Sequence, residues 1–332
     1  MKNSKIIGVG HHVPEWVVTN AELEKHMDTS DEWIRERTGI ECRHWIRDNE
    51  ATIYELGYQA SQNALKQAGI SAQDIEFIVF ASILSDHGFP GGGCFMQEML
   101  GIPGVPAMDI RNACSGFMYA LAVADKFIKT ETYKNVLVVG AEIQSTGIDL
   151  STKGRDIAVI FGDGAGAAVL TASDDNQTGV LTTHLHADGR YAKKLWCDWP
   201  SIRRTPRLTA EYNDPDHNFP HMEGQFVFKH AVVKFPEVIY EALKKTGYTT
   251  KDVDLVIPHQ ANMRITEMVA RRLELPMEKV YSNIQRYGNT TAASIPIAMS
   301  EALEEGLIHS NSLICLASFG AGFTWASALI RW

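Results

Sequence analysis

Three residues far apart in the chain carry side chains that together suit carbon–carbon bond formation: Cys114, His259 and Asn289. Cys114 lies in Asp109-Ile-Arg-Asn-Ala-Cys114-Ser-Gly-Phe-Met-Tyr-Ala-Leu121, which reads as a strand end, a turn and a helix start. A thiol at a helix N-terminus faces unpaired backbone N–H groups and the positive end of the helix dipole. Its pKa is therefore expected to fall and thiolate to form. The same N–H groups would hold an oxyanion after attack on a thioester. The alternative is a cysteine used as a small buried hydrophobe. Cys42, Cys94, Cys197 and Cys315 have no comparable setting, and Cys315 lies within an apolar strand.

His259, in Ile257-Pro-His259-Gln-Ala-Asn262, follows a buried strand and precedes a helix expected over 261–273. Asn289 follows Gly288 at an expected helix N-cap. Taken singly, these are a core or turn histidine and a plain helix cap as readily as functional groups. Taken together, a neutral imidazole and an amide can donate two hydrogen bonds to one carbonyl oxygen. That pair would stabilise the enolate left when a carboxylate departs as CO2, with neither metal nor cofactor. The loop Ser318-Phe-Gly-Ala-Gly322-Phe-Thr-Trp325 reads either as a tight turn or as a source of further oxyanion-binding N–H groups near Cys114.

A duplication accounts for how such distant residues come together. Ala64-Leu-Lys-Gln-Ala-Gly69 through Asp74 is matched by Ala242-Leu-Lys-Lys-Thr-Gly247 through Asp252, and Ala64 and Ala242, like Asp74 and Asp252, stand 178 positions apart. Each copy reads as an amphipathic helix closed by Gly, a short loop and a buried strand. The first helix opens on the capping box Thr52-x-x-Glu55; the second is expected over 229–246. Val136-Leu-Val-Val-Gly140 and Leu313-Ile-Cys-Leu-Ala317 read as paired interior strands. The simplest architecture is two β/α halves, residues 1–172 carrying Cys114 and residues 173–332 carrying His259 and Asn289. Ligands of such folds gather at strand ends and helix N-termini, where all three residues fall. Residues 187–221 lack periodicity and mix Trp196, Trp199, Pro200, Pro206, Pro215 and Pro220 with Arg203, Arg204 and Arg207, which reads as a lid or substrate loop.

Composition narrows the function classes. The 332 residues are 45% hydrophobic and 21% charged with net charge −9, which fits a globular enzyme and argues against a nucleic-acid binder. Five unclustered cysteines argue against a disulfide framework or zinc ribbon and favour a reducing, cytoplasmic setting. The N-terminus reads as a strand rather than a signal peptide, and no apolar run is long enough to span a membrane. Gly162-Asp-Gly-Ala-Gly166 precedes a strand, whereas a dinucleotide fingerprint follows one. His184-x-His186 and His217-x3-His221 are weak metal motifs, so no metal site is expected.

Taken jointly, the segments Thr29-Ser-Asp-Glu-Trp33-Ile-Arg-Glu-Arg37-Thr-Gly-Ile40, the Cys114 turn, Phe161-Gly-Asp-Gly-Ala-Gly166, His259-Gln-Ala-Asn262, Gly288-Asn289-Thr and Phe319-Gly-Ala-Gly-Phe-Thr-Trp325 resemble β-ketoacyl-acyl carrier protein synthase III, an initiating condensing enzyme of the thiolase-like superfamily. The resemblance runs end to end. It implies an α/β thiolase-like fold of duplicated halves in five layers (αβαβα), a homodimer, and a Cys114–His259–Asn289 triad. It also implies an acyl-CoA primer loaded onto Cys114, malonyl-acyl carrier protein as the second substrate, and no cofactor. CoA would meet Thr29, Trp33, Arg37, Lys153, Gly154, Gln225, Phe228, Ala261, Asn262 and Arg264. The backbone N–H groups of Cys114 and Ala321 would form the oxyanion hole, and Phe89 would close the acyl pocket across a dimer interface. Acidic acyl carrier protein would dock on Lys229, Arg264 and Arg271, with Arg272 a weaker candidate. Two departures, Arg111-Asn112 before the cysteine and the long 187–221 stretch, leave primer choice open. A secondary-metabolite relative using another acyl acceptor, or a scaffold that has lost its chemistry, stays as an alternative.

Overall fold

The computed structural model describes residues 2–198, 202–203, 205 and 218–332. Along the chain run β1 (Asn3–His12), β2 (Trp16–Thr19), β3 (Cys42–Trp45), β4 (Phe77–Ala81), β5 (Ala107–Ile110), β6 (Asn135–Glu142), β7 (Gly164–Ser173), β8 (Gly179–Ala187), β9 (Leu195–Trp196), β10 (His221–Met222), β11 (Leu255–Pro258), β12 (Leu313–Gly320) and β13 (Thr324–Arg331). The interior strands β4, β6, β11 and β12 are almost wholly buried, as their continuous apolar runs require.

The two large sheets are ordered β1-β7-β6-β4-β5 and β8-β13-β12-β11, and β2-β3 and β9-β10 form two-stranded ribbons beside them. In the first, β4 runs parallel to β5 and β6, while β6–β7 and β7–β1 are antiparallel. The second repeats the pattern: β11–β12 is parallel, and β12–β13 and β13–β8 are antiparallel. The duplication is thus one of topology, and its register is firm: Asn135 and Leu313, like Glu142 and Gly320, again stand 178 positions apart. The fifth strand has no counterpart, for Val256 makes only an isolated bridge to Val280.

Helices Gly116–Lys129 and Ser294–Glu304 lie between the sheets. Their Phe117, Leu121, Ile295 and Met299 share one core with Val79 and Val138 of the first sheet and Ile257 and Leu316 of the second. Helices Ile53–Ala68 and Gly92–Met99 cover the first sheet's outer face, and Gly224–Thr246 and Met263–Arg272 cover the second's. That gives the five layers, each buried aliphatic side chain contributing about 1.5–3 kcal/mol.

The helix ends follow local chemistry. Thr52 and Glu55 form the capping box, and Gly69 closes that helix with φ 69°. The second helix begins at Gly224, earlier than expected, because Phe226, Val227 and Phe228 pack against the outer core. The helix expected over 261–273 is confined to Met263–Arg272, because Asn262 Oδ1 caps it by accepting from the Arg264 N–H at 2.9 Å. Of the 187–221 excursion, Gly189–Lys194 forms a 3-10 helix and β9 pairs with β10. Trp199, Pro200, Arg204, Pro206, Arg207, Pro215 and His217 lie outside the described residues, and so does the middle of the expected lid. Among the described residues no helix is long and apolar enough to cross a membrane.

Candidate active site

Cys114 sits on a 3-10 turn, Ala113–Ser115, leading into the helix Gly116–Lys129. Ala113 takes φ 46° to make that turn. Ser115 Oγ donates to the Thr324 carbonyl at 3.2 Å and accepts from Ser318 Oγ at 3.0 Å, which pins the turn to β12 and β13 of the other half. Gly320 ends β12 against the thiol: a Cβ there would lie 2.6 Å from Cys114 Cβ and 3.1 Å from Sγ. This close approach brings the Ala321 N–H to the sulfur. That N–H and the N–H of Cys114 itself both pull the thiol pKa down.

They do not prevail. Burial pushes the Cys114 thiol up to about 12, and the charge of buried Glu142 adds to the rise. The expectation of a resting thiolate is therefore corrected: a side chain only 7% exposed loses more from desolvation than it gains from the turn's dipoles. The free enzyme holds a protonated thiol.

His259 closes β11 and is fixed by its own N–H, which donates to the Ala317 carbonyl at 2.8 Å. The ring is 2% exposed, and burial lowers its pKa to about 3, so it is neutral. Nδ1 lies 2.6 Å from Ser294 Oγ, while Nε2 is buried with no partner. The neighbouring bond favours one tautomer. Ser294 Oγ already accepts from the Gln260 N–H at 3.4 Å, which favours the arrangement with its own proton turned to Nδ1. Nδ1 then accepts, and Nε2 carries the hydrogen.

Asn289 is held by backbone on both sides: its N–H donates to the Ile160 carbonyl at 2.9 Å, and its carbonyl accepts from the Gly162 N–H at 3.1 Å. Gly288 before it adopts φ 63° with the Ile160 carbonyl 2.7 Å from where a Cβ would stand, so no other residue fits. Asn289 Oδ1 accepts from the Thr291 N–H at 2.9 Å. That bond makes the capping reading partly right and leaves the amide NH2 as the group free for a ligand.

Cys114, His259 and Asn289 line one cavity of about 590 Å3, with Phe161, Phe235, Phe319 and Gly320 beside them. Toward the surface, Trp33, Arg37, Gln225, Phe228, Ala261, Asn262 and Arg264 line the same cavity. Arg37 lies 4.4 Å from the Trp33 ring centroid, and Arg264 lies 5.8 Å from that of Phe228. Asn262 is committed within the protein, for Nδ2 donates to the Arg37 carbonyl at 2.9 Å. Thr29, Lys153 and Gly154 stand outside the described cavity wall, although Thr29 Oγ1 is buried without a partner. A cation that sequence reasoning missed, Arg155, lies 5.0 Å from the Trp33 ring. It stands two residues beyond Lys153, the cation that the sequence reading chose, and six before Phe161-Gly-Asp-Gly.

Phe89 is 88% exposed and stands outside the wall of the Cys114 cavity. Lys229, Arg264, Arg271 and Arg272 are all exposed on the two helices that cover the second sheet. The remaining motifs are structural. Asp163 of the glycine run accepts from the N–H groups of Ile46, Gln144 and Ser145. His184 and His186 both meet Glu241, at 3.1 and 2.6 Å. His221 packs against Trp196.

The arrangement is a protonated nucleophile under two backbone N–H groups, with an imidazole N–H and an amide NH2 across the same cavity. The chain as a whole has known relatives. The family described as 3-oxoacyl-acyl-carrier-protein (ACP) synthase III matches residues 108–189, and its C-terminal counterpart matches residues 243–332. The beta-ketoacyl-acyl-carrier-protein synthase III of Xanthomonas euvesicatoria pv. vesicatoria is 45% identical over 329 residues, 99% of this chain and 98% of that one. That of Salmonella typhimurium is 44% identical, covering 99% of both. The crystal structure of 3-oxoacyl-acyl-carrier-protein synthase III from Aquifex aeolicus VF5 superimposes with a TM-score of 0.91 at 43% identity, covering 99% of this chain and 100% of that one. The chain belongs to the β-ketoacyl-acyl-carrier-protein synthase III family of acyltransferases.

Proposed function

We propose that the protein initiates acyl chains in type II fatty acid synthesis. An acyl-CoA primer loads Cys114, and malonyl-acyl carrier protein then condenses with it to give a β-ketoacyl-acyl carrier protein. The supporting observation is the pairing of the unpartnered His259 Nε2 and the Asn289 amide on the Cys114 cavity.

In loading, Sγ attacks the thioester carbonyl, whose oxygen is held by the N–H groups of Cys114 and Ala321. The C–S bond to CoA breaks, and the thiol proton ends on the departing CoA sulfur. In condensation, the malonyl thioester oxygen accepts from His259 Nε2–H and the Asn289 NH2. The bond to the carboxylate breaks, CO2 leaves, and the electron pair passes to the α-carbon as an enolate. That carbon attacks the acyl-Cys carbonyl, the C–S bond breaks, and the thiolate takes a proton from solvent. Each oxyanion donor is worth about 2.7–4 kcal/mol in such sites. Decarboxylation supplies the nucleophile's electrons, so the reaction draws on no cofactor beyond its substrates.

CoA would stack at Trp33 between Arg37 and Arg155 and pass Gln225, Phe228, Ala261, Asn262 and Arg264 toward the cysteine, with Thr29, Lys153 and Gly154 outside this path. Acyl carrier protein would dock on exposed Lys229, Arg264 and Arg271. Exposed Phe89 suits closure of the acyl pocket in a second copy, making a homodimer the working assembly. The setting would be cytoplasmic. The test is intact-mass analysis after mixing with straight, branched and long acyl-CoAs, followed by malonyl-acyl carrier protein. An acyl adduct lost from Cys114 as ketoacyl product appears supports the reading. An adduct passed to an alcohol or amine but never to malonyl-acyl carrier protein points to a secondary-metabolite acyltransferase, and absence of any adduct points to a scaffold.

A further inference from the structure

We infer that Glu142 is a positioning residue for condensation: its buried carboxylate clamps the turn that carries Asn289 to the strand ends beside Cys114. The inference rests on the reading above, in which Asn289 serves condensation rather than loading.

Glu142 ends β6 and is wholly buried. Its oxygens accept from Ser82 Oγ at 3.3 Å and the Ile83 N–H at 3.2 Å, both just beyond β4. They also accept from Gln144 Nε2 at 3.1 Å and, across the interface between halves, from the Ala292 N–H at 3.4 Å. Thr291 Oγ1 lies beside the carboxylate and pulls its pKa down, though without good hydrogen-bond geometry. Thr291 is strained at φ 47°, and its N–H is the donor that orients Asn289 Oδ1. Holding Thr291 and Ala292 therefore holds the Asn289 amide.

Every partner of this carboxylate is a donor, and no cation faces it. Among the described residues, the Cys114 thiol is a titratable group that feels its charge. A buried carboxylate with no cation is costly to keep, and burial moves this one to about 7. Its charge also raises the Cys114 thiol. Glu142 thus does two opposed things: it organises condensation while making the nucleophile harder to ionise.

Glu142→Gln separates them. The amide NH2 would face donors, so one clamp bond is lost and a buried donor is left unsatisfied, a cost that converts to about tenfold or more in rate. At pH 8, single-turnover condensation of the pre-acylated variant should fall about tenfold. At the same pH, iodoacetamide should alkylate Cys114 several-fold faster than in the wild type, because a neighbouring negative charge is gone. Below pH 7 that difference in alkylation should shrink as the wild-type carboxyl protonates. Glu142→Asp, which keeps charge and acceptors, should return alkylation to the wild-type rate and restore most condensation. Should the Gln variant not fold, Gln144→Leu carries the test from the other side by removing the Gln144 Nε2 donor to the carboxylate, with condensation expected to drop about threefold and loading unchanged. Alkylation and condensation falling together in the Glu142→Gln variant, or wild-type condensation in either the Glu142→Gln or the Gln144→Leu variant, overturns the inference. A wild-type enzyme that loads but never condenses overturns the functional reading instead, and the alkylation comparison is unaffected by that outcome.

Discussion

Ser294→Ala is the sharpest probe of the site's hydrogen-bond logic. Ser294 opens the helix Ser294–Glu304 and touches no substrate position; its hydroxyl lies 2.6 Å from His259 Nδ1. Removing it leaves a fully buried ring nitrogen without a partner, which costs about 1–3 kcal/mol. It also frees the ring to take the other tautomer, in which Nε2 bears a lone pair instead of a hydrogen. An enolate oxygen facing that lone pair is repelled rather than bound. At about 1.4 kcal/mol per factor of ten, condensation should slow roughly 10- to 100-fold. Loading relies on the N–H groups of Cys114 and Ala321, so it should change less than about threefold. Rapid-quench assays resolve the two steps: acyl-enzyme formation by intact mass, then single-turnover ketoacyl release on adding malonyl-acyl carrier protein. Condensation at the wild-type rate would refute the tautomer assignment. Equal slowing of both steps would show that Ser294 merely supports the fold.

Asn289→Ala should load normally yet condense at least about a hundredfold more slowly, since one enolate donor is lost; failure to load would mean its role has been misassigned. Gly320→Ala puts a Cβ 2.6 Å from Cys114 Cβ, an overpacking worth about 1–3 kcal/mol, so loading should drop and thermal midpoint fall together. An unaltered loading rate would show that β12 yields easily. His259 has its folded pKa depressed to about 3 from 6.5, so the unfolded chain binds the extra proton as pH falls below 6.5 and stability is lost there. At pH 5 the loss is about 2 kcal/mol relative to pH 7.5. Urea titrations should show wild type losing that much against His259→Gln over this interval, and parallel curves would mean the imidazole is not buried neutral.

The fold was legible because the 178-residue repeat is written in residue types that dictate backbone: Gly69 and Gly247 closing helices, Asp74 and Asp252 in matching short capping turns, and continuous apolar runs for interior strands. That Cys114, His259 and Asn289 would meet was legible because each sits where a strand ends or a helix begins, and all three line one cavity. Less legible were groups whose role depends on a partner from the other half. Ser294 reads as an ordinary small residue until β11 brings His259 against it. Glu142 reads as the polar end of a strand until Ala292 arrives from 150 positions away. Arg155 is hidden by spacing, because Lys153 offers the same charge two residues earlier. The thiol's pKa failed for a related reason: local sequence reports the turn's dipoles, whereas burial is set by the entire five-layer stack.

That last point reorganises the chemistry. A thiol held at about 12 and an imidazole held at about 3 cannot exchange a proton to form a resting ion pair. The free site is therefore neutral at both groups, and each is activated only by substrate. A bound thioester brings its own acceptor for the thiol proton, the CoA sulfur, so loading needs no free thiolate. Once Cys114 is acylated, its S–H is gone, an acyl carbonyl stands in its place, and in the proposed reaction the His259 and Asn289 hydrogens still await an acceptor. The incoming malonyl oxygen is then the acceptor they can satisfy. Burial thereby orders the two half-reactions: a neutral thiol gives an enolate nothing to attack, whereas the acyl carbonyl captures it, so decarboxylation leads onward only after acylation. Malonyl-acyl carrier protein mixed with unacylated enzyme should accordingly lose CO2 far more slowly than with acyl-enzyme. Equal CO2 release from both forms, followed by radiolabel, would break this ordering argument while leaving the fold and the family untouched.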